Sequence, residues 1–139
     1  MFVLDTDHLS ELVKQSPSGA RLAKLLETCD ETVVTSIISF EEMLRGWLAK
    51  IHSDSIPRNQ IGAYQKLSDI LDSFQDWAVL GWDQESVNVF DELVSHRLGV
   101  KTMDLKIASI TIRQEATLLS RNLKDFGRVP GLNVEDWLS

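Results

Sequence analysis

Short apolar runs alternate with helical patterns along this chain, and this alternation constrains its fold more than any other feature. Runs of aliphatic and β-branched residues predict five strands, at residues 2–4, 32–35, 78–80, 117–120 and 132–134. Apolar residues at helical spacing predict helices at residues 8–14, 19–27, 39–51, 59–76, 84–98 and 103–114. Short buried strands separated by helices are typical of an α/β fold with a mostly parallel sheet covered on both faces.

The pattern also predicts which side of each helix is buried. In the helix at 59–76 the expected core residues are Ile61, Tyr64, Leu67, Leu71 and Phe74. With 139 residues and no repeat or Pro/Gly-rich linker, the chain is expected to form a single domain over residues 1–139. No apolar run could span a bilayer and no secretion signal is recognisable, so we expect a cytoplasmic protein without membrane contact.

Composition and missing motifs exclude several classes of function. The lone Cys29 rules out an intramolecular disulfide, and the scattered His8, His52 and His96 argue against a zinc site. The sequence has no GxGxxG or GxxxxGK(S/T) motif, so dinucleotide and P-loop nucleotide binding have no support. It also lacks the GxSxG turn of serine hydrolases.

The charge balance restricts how the chain could bind nucleic acid. The net charge is −7, from 14 Lys and Arg residues against 21 Asp and Glu residues. Nucleic-acid binding therefore requires a local basic surface, bound cations or a partner protein. The stretch from Lys101 to Arg128 is locally positive, because its six basic residues outnumber its three acidic ones. These basic residues are Lys101, Lys106, Arg113, Arg121, Lys124 and Arg128.

Carboxylates are placed where parallel sheets bind ligands, which is beyond the carboxyl ends of the strands. Four chain segments contribute oxygen ligands: Asp5 and Asp7 after the first strand, Glu41 and Glu42 after the second, Asp104 before the fourth, and Asp125 with Asn122 after it. Clustered carboxylates repel one another unless they share a cation. Mg²⁺ and Mn²⁺ prefer oxygen ligands, so the pattern indicates a divalent-metal site that activates water for attack at phosphorus.

Each acid also has a structural interpretation. Asp5 could simply cap the helix that follows it, and Asp104 could complement a helix dipole. Glu42 could close a capping box with Ser39, because Ser39-Phe40-Glu41-Glu42 matches the S-x-x-E pattern. Asp125 could be an ordinary turn residue. The joint placement of the acids at one sheet edge favours the metal site.

The ordered motifs of the chain are similar to those of a known family. They are Phe2-Val3-Leu4-Asp5-Thr6-Asp7, the segment from Thr35 to Gly46, Met103-Asp104-Leu105-Lys106-Ile107-Ala108, the segment from Leu118 to Phe126, and the tail from Arg128 to Trp137. Together they span nearly the whole chain. The sequence resembles the PIN-domain ribonucleases, and most closely the VapC-type toxins of bacterial toxin–antitoxin pairs.

The resemblance implies a PIN-like three-layer α/β/α sandwich and a Mg²⁺-dependent, or Mn²⁺-dependent, endoribonuclease that cuts single-stranded RNA and arrests translation. It further implies a cognate antitoxin as partner and a homodimer. Asp5, Glu42, Asp104 and Asp125 match the acids that hold the metal ion in the family. Glu41 is thereby the less favoured neighbour of Glu42.

The resemblance leaves some positions open. The family places an acid or amide in the segment from 122 to 125, so Asn122 and Asp125 are both candidates for the fourth position, with Asp125 favoured by its charge. Asp7 stands where the family commonly has asparagine, and Ser120 is a further candidate near the site. Lys106 and Arg121 are candidate phosphate contacts.

Two other functions stay open from the sequence. One is a PIN-type nuclease of RNA maturation with no toxin role. The other is a catalytically silent α/β interaction module, which the presence of all four mutually repelling acids disfavours.

Overall fold

Five parallel strands form one sheet in the structure, a computed structural model that describes residues 1–139. The strands are β1 (Phe2–Leu4), β2 (Val33–Ser36), β3 (Val79–Leu80), β4 (Thr117–Leu119) and β5 (Asn133–Glu135). Their order across the sheet is β3-β2-β1-β4-β5, so the first strand of the chain lies at the centre. In the register of this central strand, Val3 lies between Val34 of β2 and Leu118 of β4.

Helices connect every pair of consecutive strands. They are α1 (Thr6–Lys14), α2 (Pro17–Thr28), α3 (Ile37–Ser53), α4 (Ile61–Gln75), α5 (Gln84–Ser95), α6 (Thr102–Arg113) and the single turn α7 (Leu123–Phe126), with a 3₁₀ turn (Pro57–Gln60) before α4. None of these helices combines the length and apolar character that a membrane crossing requires.

The two faces of the sheet carry different sets of helices. Because parallel crossovers are right-handed, the path β1 to β2 to β3 places α1–α4 on one face, and the return to β4 and β5 places α5–α7 on the other. The core agrees with this arrangement. Leu4 and Leu119 pack with Leu9 of α1, whereas Val3 and Leu118 belong to a larger cluster built mainly from α5, α6 and α7. The predicted three-layer α/β/α sandwich is confirmed, and its sheet is entirely parallel.

The predicted buried face of the fourth helix is wrong in part. Ile61, Tyr64 and Leu71 are 67%, 55% and 61% exposed, and the buried residue of α4 is Ile70. The reason is that α4 packs mainly on α3 and meets the buried cluster of Leu4, Leu9 and Leu119 through Phe74, so a narrow apolar stripe is enough to cover its contacts.

The predicted start of α3 is also wrong, and with it the capping box. Ser36 caps this helix through its side chain, which accepts a 3.2 Å hydrogen bond from the Ser39 amide. Ser39 therefore lies inside the helix and is fully buried. Glu42 is the sixth residue of α3, too far from the helix start to close a box with its first amide.

Candidate functional site

The candidate site lies at the point where the strand order of the sheet reverses. From β1 the chain moves to β2 on one side, and it later returns to β4 on the other side. The carboxyl ends of β1 and β4 are therefore flanked by connections that diverge, which leaves a crevice typical of ligand sites in open α/β sheets. Asp5 directly follows β1, and Ser120 directly follows β4.

Asp5 is a buried carboxylate, with 7% of its surface exposed. One oxygen accepts a 2.8 Å hydrogen bond from the Thr6 amide, because Asp5 is the N-cap of α1. The other accepts a 2.6 Å hydrogen bond from the Ser120 hydroxyl. Burial raises the pKa of Asp5 to about 7, and the nearby charges of Asp7 and Glu42 add to this effect. Asp5 therefore caps α1 and also belongs to the acidic cluster.

Glu42 reaches the same cluster from α3. Its carboxylate accepts a 2.8 Å hydrogen bond from the Thr6 hydroxyl, which ties it to the residue next to Asp5. Burial raises the pKa of Glu42, and the charge of Asp104 is among the neighbours that raise it further. Glu41 instead pairs with Arg45 at 2.7 Å on an exposed part of the helix. The two adjacent glutamates therefore have different surroundings.

Asp104 and Asp125 complete the cluster from the other face of the sheet. Burial raises the pKa of Asp104, and the charges of Asp125 and Asp7 act in the same direction, whereas Lys101 opposes them. Asn122 caps α7, since its side-chain oxygen accepts a 3.3 Å hydrogen bond from the Asp125 amide. Its amide group also lies 3.1 Å from the Asp125 carboxylate. Asn122 is thus occupied in orienting Asp125.

The donor set of this cluster suits a hard divalent cation. Its carboxylates supply oxygen ligands. Burial is the main cause of the raised pKa values of Asp5, Glu42 and Asp104, and repulsion between the acids adds to it; a cation would relieve that repulsion. As the side chains are placed, no three Asp, Glu, His or Cys residues converge closely enough to chelate one ion. Mg²⁺ retains several waters and requires only one or two direct carboxylates, so the residues fit a partly hydrated ion.

Two residues near the site were missed from the sequence. Thr6 links the first two acids, since its amide donates to Asp5 and its hydroxyl to Glu42. Its only signal in the sequence is its place directly after Asp5. Lys101 is close enough to Asp104 for its positive charge to oppose the rise in the pKa of that carboxyl group. From the sequence, Lys101 is only one member of the basic stretch.

The two basic residues singled out from the sequence are placed differently. The ammonium of Lys106 lies 5.8 Å from the centroid of the Trp82 ring, a cation–π distance. Arg121 is exposed, and its backbone amide donates a 2.9 Å hydrogen bond to the Asp7 carboxylate. Neither side chain forms an ion pair with the four acids.

Sequence comparison finds a related protein that matches one third of the chain. The chain is 44% identical over 46 residues to Ribonuclease VapC2 of Rickettsia felis. This stretch covers 33% of the present chain and 34% of the length of that relative.

Structural comparison finds the same fold over the full chain. A chain in the crystal structure of VapBC2 from Rickettsia felis, bound to a DNA fragment from its promoter, matches with a TM-score of 0.76 at 23% identity, covering 98% of both chains. A chain in the structure of VapBC-1 from nontypeable Haemophilus influenzae matches with a TM-score of 0.77 at 21% identity, covering 99% of this chain and 98% of the other. At such identities the likeness concerns the fold alone.

A family model gives the broadest assignment. The model of the PIN domain matches residues 2–132, which is almost the entire chain and includes every acid of the cluster. The three-layer fold and the acidic cluster beyond the ends of the central strands agree with this match. The chain belongs to the PIN domain family.

Proposed function

We propose that this chain is a divalent-metal-dependent endoribonuclease that cuts single-stranded RNA and serves as the toxin of a type II toxin–antitoxin pair. One observation supports the proposal: Asp5, Glu42, Asp104 and Asp125 come from four chain segments and form a series of mutually interacting acids, and burial and mutual repulsion raise the pKa values of the first three. Carboxyl groups with raised pKa values that lie close together are characteristic of functional sites. The likeness to Ribonuclease VapC2 and to a chain of VapBC2 supports the choice of RNA and of a toxin role, for which we propose a cytoplasmic location.

In this proposal the four acids hold Mg²⁺ or Mn²⁺, and Asp5 and Glu42 are its direct ligands. When bound, the ion supplies a water of lowered pKa and stabilises charge at the scissile phosphate. The chain's own groups orient the ligands. Ser120 fixes one oxygen of Asp5, Thr6 fixes Glu42, and Asn122 fixes Asp125. Lys101, beside Asp104, offers a positive charge to a substrate phosphate.

A groove next to the acids supports a protein partner. It has a volume of about 540 Å³ and lies between α1, α3 and α4, with Val13, Met43, Trp47 and Ile70 as its apolar lining. A second depression shares Met43 and Trp47 with it and continues to Glu42. A segment of an antitoxin seated in this groove would lie beside the acidic crevice and could block it. We therefore assign the groove to the antitoxin.

A second copy of the chain is the other proposed partner. The exposed Ile61, Tyr64 and Leu71 fall within one stripe of α4, away from the antitoxin groove residue Ile70. An apolar stripe of this kind favours burial in a homodimer. Sedimentation of the wild-type chain and of a Leu71→Glu variant would test this, since the variant should sediment as a monomer.

The central experiment is a cleavage assay with the purified chain. Single-stranded RNA, duplex RNA and single-stranded DNA of equal length are incubated with Mg²⁺, with Mn²⁺ and with EDTA. We expect metal-dependent cleavage of single-stranded RNA only. Induction of the chain in cells, with and without its partner, then separates the alternatives: cleavage without growth arrest indicates an RNA-maturation nuclease, and no cleavage under any condition indicates a silent interaction module.

A further inference from the structure

His8 is a fully buried histidine that the proposed cleavage does not use directly. It lies in α1, three residues after Asp5, and none of its surface is exposed. Its Nδ1 atom is 2.6 Å from a carboxylate oxygen of Asp7. Its Nε2 atom accepts a 3.1 Å hydrogen bond from the backbone amide of Trp137, in the C-terminal segment. Both ring nitrogens are therefore engaged, on opposite sides of the ring.

These two contacts fix the tautomer of the ring. An amide N–H can only donate, so Nε2 carries no proton where it meets Trp137. The ring proton then resides on Nδ1 and is donated to Asp7. The Asp136 carboxylate is 3.8 Å from Nε2, beyond hydrogen-bond distance. Trp137 thus sets the direction of the hydrogen bond that Asp7 receives.

Asp7 connects His8 to the segment that follows β4, because its carboxylate accepts hydrogen bonds from both. One of its oxygens accepts from Nδ1 of His8 and from the His8 amide, both at 2.6 Å. Its other oxygen accepts a 2.9 Å hydrogen bond from the Arg121 amide and lies 3.4 Å from the Ser120 hydroxyl. One oxygen of Asp7 thus accepts two donors, and the other accepts one and lies against Ser120, whereas each oxygen of Asp5 accepts a single donor. Asp7 is therefore less suited than Asp5 to be a direct metal ligand.

The segment that Asp7 holds, Ser120 and Arg121, also contacts Asp5. The Ser120 hydroxyl is 2.6 Å from Asp5, and its single proton is committed to that bond. The direction of this hydroxyl depends on the backbone at Ser120 and Arg121, which Asp7 holds in place. Hydrogen bonds therefore connect Trp137 to His8, His8 to Asp7 and Asp7 to the Arg121 amide, and the adjacent Ser120 donates to Asp5.

We propose that His8 and Asp7 are positioning residues of the metal site, and that the C-terminal segment takes part by fixing the tautomer of His8. This inference rests on the proposed metal-dependent cleavage. It gives Asp7 a role that asparagine cannot fill. An asparagine here would direct its amide group at either Nδ1–H of His8 or the Arg121 N–H, so that one donor would face another.

The test compares wild type with Asp7→Asn and His8→Phe. Asp7→Asn is isosteric, and His8→Phe keeps a ring of similar size in the core. His52→Phe, on the exposed part of α3, is the matched control. We expect Mn²⁺ affinity, measured by electron paramagnetic resonance of the free ion, to fall about tenfold in both site variants, as for other residues that orient metal ligands. Their kcat should fall with KM for RNA unchanged, whereas a merely loosened fold would leave kcat of the folded fraction intact.

Nuclear magnetic resonance of the ring nitrogens of His8 reports its tautomer and so tests the proposal independently of activity. We expect the Nδ1–H tautomer in wild type and its loss in Asp7→Asn. Asp136→Asn should keep the tautomer and the activity, because its carboxylate does not bond to the ring; a loss there would indicate a His8–Asp136 ion pair and overturn the proposal. Wild-type Mn²⁺ affinity and kcat in Asp7→Asn would overturn it as well, even if His8→Phe fails to fold. An inactive wild type with the expected tautomer would instead refute the nuclease function.

Discussion

Two hydrogen bonds do not compensate the Asp5 carboxylate for its burial. The Thr6 amide and the Ser120 hydroxyl both favour the charged form, yet the pKa of Asp5 rises to about 7 because loss of water and the neighbouring acids outweigh them. In the metal-free chain this residue is therefore protonated in part at neutral pH. A cation would restore its charge, so the residue couples protonation to metal binding.

The first prediction concerns the pH dependence of stability without metal. Unfolded, Asp5 loses its proton near its ordinary pKa of 3.8, but in the folded chain it holds that proton up to about pH 7. Between these values the folded state binds more protons, so this residue's stabilising contribution is lost as pH rises. We expect Asp5→Asn to be more stable than wild type at pH 8 by a few kcal/mol, and to lose that advantage near pH 4.

The measurement is urea unfolding in EDTA at several pH values. Asp5→Asn retains the Thr6 bond and can still bond to Ser120, which makes it a close mimic of the protonated acid. A stability difference that does not change with pH would contradict the raised pKa.

The second prediction separates the two adjacent glutamates. Glu42→Gln should fold normally, because an amide oxygen can still accept the Thr6 hydroxyl bond. Its RNA cleavage should fall by about 10²-fold or more, as when a strong electrostatic contribution to the transition state is removed. Glu41→Gln loses only its ion pair with Arg45 and should retain most activity. Kinetics on a short single-stranded RNA would measure both, and an active Glu42→Gln beside an inactive Glu41→Gln would show that the wrong glutamate was chosen.

At the residue scale, the sequence identified the acids but not their partners. Asp5 and Glu42 could be named because a resemblance and a position after a strand both point to them. Thr6 and His8 could not, since a threonine and a histidine in the first turn of a helix have ordinary explanations. Their roles depend on contacts with Glu42 and Trp137, which lie 36 and 129 positions away.

At the scale of elements, α1 and α2 meet in a corner that only glycine permits. Gly19 lies in the first turn of α2, and a Cβ atom built on it would fall far inside van der Waals contact with the Glu11 carbonyl oxygen of α1. The same corner contains Ser16, whose hydroxyl caps α2 by accepting a 3.0 Å bond from the Gly19 amide. A side chain here must displace one helix from the other.

The third prediction follows from this close approach. Gly19→Ala should lower the free energy of unfolding by about 2 kcal/mol, because the backbone has to move to admit one methyl group. Gly46→Ala is the control in the interior of α3, where a Cβ meets nothing within 4 Å. That variant should gain up to about 1 kcal/mol from helix propensity. Thermal and urea unfolding would measure both, and equal effects of the two substitutions would contradict the tight corner.

Strands and long helices were predictable because each has a local signal. The strands lie within about one residue of their predicted positions, since β-branched and aliphatic runs bounded by polar residues are short and unambiguous. The exposed face of α4 was not predictable, because apolar spacing does not say whether a helix packs on a sheet or on one neighbour. The single turn α7 was missed, as four residues show no helical period.

At the scale of the whole molecule, the acidic cluster joins both layers of helices. Asp5 and Glu42 come from one face of the sheet, and Asp104 and Asp125 come from the other. A cation between them would therefore bind the folded chain and not its separate parts. Metal binding and global stability should be linked by mass action.

The fourth prediction states this link. Millimolar Mn²⁺ should raise the melting temperature of wild type by several degrees, since a ligand at 100 times its Kd contributes about 2.7 kcal/mol. An Asp5→Asn, Asp104→Asn double variant should show a clearly smaller shift. Differential scanning calorimetry at fixed ionic strength would measure both shifts in melting temperature. The reference is a Ca²⁺-free buffer in which NaCl replaces the Mn²⁺ salt. Equal shifts in the two proteins would count against the shared site.

The central position of β1 has a consequence for when activity can arise. The ribosome makes β1 first, but its neighbour β4 and the Ser120 hydroxyl that meets Asp5 come 115 residues later. A nascent chain that stops before β4 contains neither Ser120 nor Asp125, so such a product cannot assemble the site. Synthesis itself thus delays the proposed cleavage until the ribosome has made β4 and the segment that follows it.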